Sequence, residues 1–149
     1  MAGSDANVNA TPELQHPLVY ASWETRGYWE GAGRGELVLQ RCRACGTVQH
    51  KPRAICATCL AGDIEHFVAS GRGTVYTFTV TEQNMTPPFR DAVPYVMAYV
   101  QLEEGPRLLT HIVGCEPGAV TVDMPVVVDF QAQERTDGEA FAVPRFRPA

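Results

Sequence analysis

Four of the chain's five cysteines fall within residues 40–59, as Cys42-Arg-Ala-Cys45 and Cys56-Ala-Thr-Cys59, with ten residues between the pairs. In a reducing compartment two Cys-x-x-Cys pairs at this separation point to metal ligation rather than to disulfides. Each pair can form a tight knuckle whose backbone N–H groups point at the thiolates. Two knuckles supply a tetrahedron of sulfur that suits zinc, at about 2.3 Å per bond. Gly46 lets the chain turn back after the first pair, whereas after the second the glycine arrives later, at Gly62. The same four thiolates bind iron in a rubredoxin-like centre, so zinc is expected and iron stays open. A closed four-cysteine site has no open coordination position and cannot activate water. Its work is to fold a segment too small to bury its own core. A thioredoxin-type redox reading needs a single pair beside a βαβ pattern, and the chain has two pairs and no such pattern.

Other reactive groups are sparse. Cys115, in "HIVGCEPG", has no partner in sequence and reads as a buried, inert thiol. His50, His66 and His111 are scattered, which favours structural roles. No G-x-S-x-G elbow and no Cys/His pair at a credible spacing is present, so no catalytic residue is assigned and no turnover by the chain alone is expected.

Charge is unevenly spread. Residues 1–72 carry seven basic and seven acidic side chains, and residues 73–149 carry five and ten, so the net charge of −5 lies in the C-terminal half. Arg34, Arg41, Arg43, Lys51 and Arg53 surround the cysteines, with Glu36 the one acidic residue among them. They can offset the −2 of a zinc tetrathiolate, or form a landing site for a phosphate group.

Several elements must position these groups. "MAGSDANVNATPELQHP" has no basic start and no apolar run, so residues 1–19 read as a polar, poorly ordered tail and not as a secretory signal. No apolar stretch approaches the roughly 20 residues of a membrane helix, and a cytoplasmic location is expected. Residues 20–35 read as a helical segment, with a helix from Ser22 to Glu30 ended by Gly31 and Gly33. Its aromatics, Trp23, Tyr28 and Trp29, exceed what a small ribbon can use and should pack on the rest of the chain or on a partner. The ribbon then spans 36–70, with strands at 36–41 and 64–70, and "GRG" at 71–73 turns into a new unit.

From Gly73 the apolar period is two. Strands are expected at 74–82, 94–103, 107–114, 125–131 and 141–146. Five short strands without a substantial helix make 71–149 a small barrel of the OB-fold kind, and the whole chain mainly β. Val96, Ala98, Val100 and Leu102 should line it, leaving Tyr95, Met97, Tyr99 and Gln101 outward. An outward stripe of aromatics and methionine suits a partner interface or a cover by the N-terminal helix. The connection 83–93, stiffened by Pro87-Pro88, would present Phe89 and Arg90.

In order, the aromatic helix, "ELVLQRCRACG", "KPRAICATC", "SGRGTVYTFTV", "VPYVMAYVQLEEGPRLLTHIVGCEP", "MPVVVDF" and "FRP" resemble the zinc-ribbon/OB-fold proteins of domain of unknown function 35, from about Trp23 to Pro148. Two departures stand out: Lys51-Pro52-Arg53 where Pro-Pro-Arg is usual, and Asp123 where a glycine is usual. The resemblance implies that Cys42, Cys45, Cys56 and Cys59 are the metal ligands. It also implies an acyl-CoA context in lipid and steroid degradation. Such proteins are companions of ketothiolases, acyltransferases and steroid side-chain aldolases, and related domains are fused to enoyl-CoA hydratases. The companion holds its thiolase-like partner in a hetero-oligomer or completes the CoA or substrate channel. Arg72, Arg90, Arg53 and Lys51 are the cations available to CoA phosphates, and Trp23, Trp29, Tyr95, Met97, Tyr99 and Phe89 are available to a partner. The rival reading, a single-stranded nucleic-acid binder, needs a positive groove, and the acidic barrel half argues against it.

Overall fold

The computed structural model describes residues 21–87, 89–134 and 140–149. The expected tail at 1–19, Tyr20 and Pro88 lie outside the described residues.

The helix, α1, is Arg26–Gly33, not Ser22–Glu30. Ser22 and Thr25 spend their groups on each other before it starts: Ser22 N donates to Thr25 Oγ1 at 2.9 Å, and Thr25 N donates to Ser22 O at 3.1 Å. Such local turns compete with helix. Gly31 and Gly33 lie inside the helix instead of ending it. The terminator is Gly35, at φ +76. Its N–H reaches Ala32 O, and that of Glu36 reaches Gly31 O, the paired bonds of a Schellman cap. Gly31 is needed for closeness, since a Cβ there would lie 2.3 Å from Val38 Cγ2. The helix therefore sits directly on the first ribbon strand.

The ribbon is a three-stranded antiparallel sheet in the order β2-β1-β3: β1 Val38–Cys42, β2 Val48–Gln49 and β3 Ile64–Val68. β2 was not expected, and its two residues give the periodicity too little to show. β1 pairs from Val38↔Val68 to Cys42↔Ile64 with β3, so its last residue is the first ligand.

The second unit is a closed barrel, β4-β5-β6-β8-β7, built from β4 Arg72–Thr81, β5 Tyr95–Leu102, β6 Arg107–Ile112, β7 Pro125–Glu134 and β8 Ala140–Pro148. All its pairings are antiparallel except β6 with β8, at Ile112↔Phe146. This is the five-stranded OB-fold, and the chain is mainly β as expected. β4 starts at Arg72, so "GRG" opens the strand more than it separates two units. A bulge between Val75 and Thr77 resets the side-chain parity. Val75, Phe78 and Val80 can thus all pair with inward residues of β5, Val100, Ala98 and Val96, despite their uneven spacing.

One core serves both units. Val75, Val96, Ala98, Val100, Leu102, Leu108, Ile112 and Phe146 of the barrel cluster with Leu37 and Leu39 at the ribbon and Tyr28 of α1. The helical aromatics divide accordingly. Tyr28 is buried in this core and Trp29 packs against it, while Trp23 stays exposed.

Candidate metal centre and partner surfaces

The two knuckles close by the same backbone bonds. Gly46 N donates to Cys42 O and Cys42 N to Thr47 O; Leu60 N donates to Cys56 O and Cys56 N to Ala61 O. The residue after each pair is left-handed, Gly46 at φ +76 and Leu60 at φ +64. The sequence reading looked for a later glycine in the second knuckle, but the turn occurs without one. Leu60 bears the steric cost that Gly46 avoids.

The folded knuckles place the four Sγ atoms within 4.8 Å of one another. Cys42 and Cys59 are 3.6 Å apart, as are Cys45 and Cys56. A tetrahedron with arms of about 2.3 Å has edges of about 3.8 Å, so the thiols fit one metal ion. Backbone N–H groups of Cys59 and Thr58 lower the Cys56 thiol to about 6. The Thr47 hydroxyl and N–H lower that of Cys45. Cys59, despite the N–H of Ala61, is pushed up to about 12 by the thiols of Cys45 and Cys42. Four neighbouring thiols cannot all ionise together unless a cation absorbs the charge, which is what a bound divalent metal supplies.

Two buried glutamines that the sequence reading missed hold the second knuckle in place. Gln40, on β1, and Gln49, on β2, face each other. Gln49 Nε2 donates to Gln40 Oε1 at 2.8 Å and to Ile55 O at 3.4 Å. Gln49 Oε1 accepts from Ala57 N at 3.0 Å, and Gln40 Oε1 accepts from Arg53 N at 2.9 Å. Gln40 Nε2 lies 3.2 Å from His66 Nε2. The loop 50–57 has little regular structure, and these amides stand in for it. Strand parity was the available signal, since Gln40 shares a face with Val38 and Cys42.

The basic cluster is largely occupied. Arg34 pairs with Glu36 at 2.9 Å, Arg41 with Glu65 at 3.7 Å, and Arg43 with Glu65 at 3.0 Å and Asp63 at 3.7 Å. Among the described residues Lys51 and Arg53 form no salt bridge. Of the four cations offered for CoA, Arg72 and Arg90 do not converge. Arg72 opens β4 and lines an open groove of about 280 Å³ with Gln101 and Glu103. Arg90 follows the far end of that ten-residue strand, beside Asp91 at 3.5 Å; a strand of that length spans about 30 Å.

The expected outward stripe is only half available. Val96, Ala98, Val100 and Leu102 are buried inside the barrel. Tyr95 lies on the opposite face as expected, yet it is only 7% exposed. Loop 83–93 covers it: Phe89, Ala92 and Val93 pack around it together with Met97 of β5, and Asn84 Nδ2 donates to its hydroxyl at 2.9 Å. Tyr99 is exposed, and Met97 is half-buried. Two neighbours not singled out by sequence extend the exposed stripe. Leu109 is paired directly with Tyr99, and the bulge turns Tyr76 outward, where the Arg107 guanidinium stacks 3.5 Å above its ring. The histidines are structural in setting: His50 packs against Tyr28 and His111 meets Tyr95 edge-on. Cys115 packs half-buried against the core, and burial pushes its thiol up, with Glu116 adding.

The family described as "ChsH2, rubredoxin-like zinc ribbon domain" matches residues 29–65, and "ChsH2, C-terminal OB-fold domain" matches residues 68–131. A "DUF35 domain-containing scaffold protein" of Methanothermobacter thermautotrophicus is 36% identical over 71% of this chain and 79% of its own length. The "Benzoylsuccinyl-CoA thiolase subunit BbsA" of Geobacter metallireducens is 32% identical over 76% of this chain and 75% of its own. A "Probable enoyl-CoA hydratase alpha subunit" of Thermomonospora curvata is 37% identical over 93% of this chain, which spans 41% of that protein's length. Among solved structures, a chain of "Ltp2-ChsH2(DUF35) aldolase" superposes with a TM-score of 0.75 at 36% identity, covering 88% of this chain and 98% of that one. The relatives are thus scaffold proteins and subunits of CoA hydratase, aldolase and thiolase enzymes. A four-thiol ribbon joined to an OB barrel, matched over both parts, makes this chain a member of the ChsH2/DUF35 zinc-ribbon and OB-fold family.

Proposed function

We propose that the chain is a non-catalytic companion subunit of a thiolase-like acyl-CoA enzyme, specifically a steroid side-chain retro-aldolase, in the cytoplasm. The observation that carries this is the exposed Tyr76, Tyr99 and Leu109 surface on the outer face of β4–β6. Apolar and aromatic side chains crossing adjacent strands in this way form the centre of a protein interface. The similarity to the aldolase chain, over nearly all of that chain, supports the choice of partner. The ribbon holds one zinc ion in a closed site, so the metal supplies structure and no bound water. Catalysis belongs to the partner, because the described residues bring together no nucleophile with an acid–base pair. Arg90, on the loop that covers Tyr95, contributes its guanidinium to a CoA phosphate at the rim of the partner's channel. It acts singly, since the other candidate cations lie elsewhere.

The test is to mix the purified chain with thiolase-like aldolase subunits, then follow size-exclusion profiles and cleavage of a steroid acyl-CoA. A stable complex with activity absent from the chain alone is expected. Tyr99→Asp should dissociate it with the barrel still folded, because a carboxylate cannot be desolvated there without a partner. Arg90→Ala should raise the KM for the CoA ester and leave assembly intact. A chain that cleaves the thioester unaided, or elutes alone with every candidate, ends this reading. The nucleic-acid alternative predicts salt-sensitive binding of a single-stranded oligonucleotide. None is expected from a barrel half of net charge −5.

A further inference from the structure

We infer that the metal-held end of the ribbon is a second docking surface, separate from the barrel face, that seats in an apolar, carboxylate-rimmed pocket of a folded protein subunit. The inference rests on the companion reading and adds a contact that the barrel face does not provide.

Three large apolar side chains stand out from this end: Trp23 at 72% exposure, Leu60 at 69% and Ile55 at 48%. They come from two segments that are tied together, since Glu24 Oε1 accepts from Ala54 N at 3.2 Å. Leu60 is the informative one. It sits at φ +64, where a β-carbon costs energy and glycine would not. Being exposed, its side chain recovers little of that cost by packing within this chain. Knuckle closure requires the left-handed turn but not an exposed leucine in it, and a strained position kept by a large apolar side chain marks contact with something else.

The loop is also rigid before any partner arrives. Gln49 holds Ile55 O and Ala57 N, Gln40 holds Arg53 N, and Cys56 N is bonded to Ala61 O. A loop fixed in this way presents Ile55 and Leu60 without the cost of ordering its backbone on binding. Tryptophan and arginine are also enriched in protein-binding hot spots, and Trp23 and Arg53 both lie in the two joined segments.

Charge selects the kind of partner. Arg41 and Arg43 are held by Glu65 and Asp63. Lys51 and Arg53 are exposed and form no ion pair among the described residues, so they are available to carboxylates across the interface. With Arg26, also exposed and in no ion pair among the described residues, they are too few for nucleic acid, where binding commonly uses about 6–10 phosphate contacts. They are also too few for an anionic membrane, at about 1 kcal/mol each.

The experiment measures affinity of the aldolase subunit for wild type, Leu60→Gly, Trp23→Ala and the pair Lys51→Glu/Arg53→Glu. Leu60→Gly is the decisive variant, because it relieves the left-handed strain, and its metal content and melting temperature report whether the ribbon is still folded. It should keep one metal per chain and its melting temperature, yet bind at least about thirtyfold more weakly, the range of a hot-spot residue. The charge-reversed pair should associate more slowly and with less dependence on salt. Wild-type affinity in Leu60→Gly and Trp23→Ala, with Tyr99→Asp still disruptive, overturns this inference and leaves the companion reading standing. Failure of the wild-type chain to bind any thiolase-like subunit overturns both. Binding of wild type to phosphatidylserine vesicles or to a single-stranded oligonucleotide, lost in Leu60→Gly, would replace the protein partner with that ligand. A self-associated wild type made monomeric by Leu60→Gly would replace it with a second copy of this chain.

Discussion

The ribbon and the barrel are both small antiparallel β units, and they are held by opposite means. The barrel has an apolar interior: Val75, Val100, Leu102, Leu108, Val126 and Phe146 are almost wholly buried. The ribbon sheet has five-, two- and five-residue strands, and its loops are held by four thiols, two of them buried, and two glutamines. The hydrophobic effect is non-directional and tolerates imprecision. Metal coordination and buried amide bonds are directional and fail when a single partner is lost. The ribbon can therefore display a strained, exposed loop, and the barrel can carry a broad exposed face.

The largest expected effect breaks the ribbon's side of this contrast. Cys56→Ser should abolish stoichiometric metal and expose the amides of residues 40–60 to hydrogen exchange, because a structural zinc contributes about 10–16 kcal/mol in isolated fingers. Elemental analysis of protein purified without added metal should give one zinc per chain, and stoichiometric iron would correct the identity of the ion. Next comes the barrel's side. Leu102→Ala should cost about 2–5 kcal/mol in denaturant titration and leave the metal content unchanged. Loss of metal in that variant would show that the two supports are not separable.

A third effect sharpens the contrast by pH. His50, against Tyr28, is lowered to about 4 by burial, with Lys51 adding, from an unfolded value near 6.5. Between those values the unfolded chain binds more protons than the folded one. Stability should therefore fall as pH drops from about 6.5 to about 4, by roughly 3 kcal/mol in total from this group. Thiolate protonation releases metal in the same direction. His50→Phe is the control: it should flatten only the part of the pH profile that persists when metal content is constant.

Much of this contrast was readable in the residues. Cysteine spacing is a local property, and so is the two-residue period of "YVMAYVQL", whose inward set is wholly buried. What escaped depends on partners distant in sequence or on backbone angles. Leu60 carries no mark of a left-handed turn, and only closure around the other knuckle requires one. Tyr95 has the right parity to be outward, yet the loop over it is placed by tertiary packing. Tyr76 is exposed because a bulge shifts the register, which a strictly alternating template cannot represent. Gly31 does not end the helix; it is needed for close approach to Val38, and the left-handed cap falls to Gly35.

The single core that Tyr28, Leu37 and Leu39 share with the barrel has a thermodynamic consequence. An ion that binds only the folded ribbon stabilises, by mass action, everything that folds with the ribbon. Above the dissociation constant each tenfold rise in free metal adds about 1.4 kcal/mol. The five barrel strands contain none of the four ligating cysteines, yet they would draw on that same increment through three side chains.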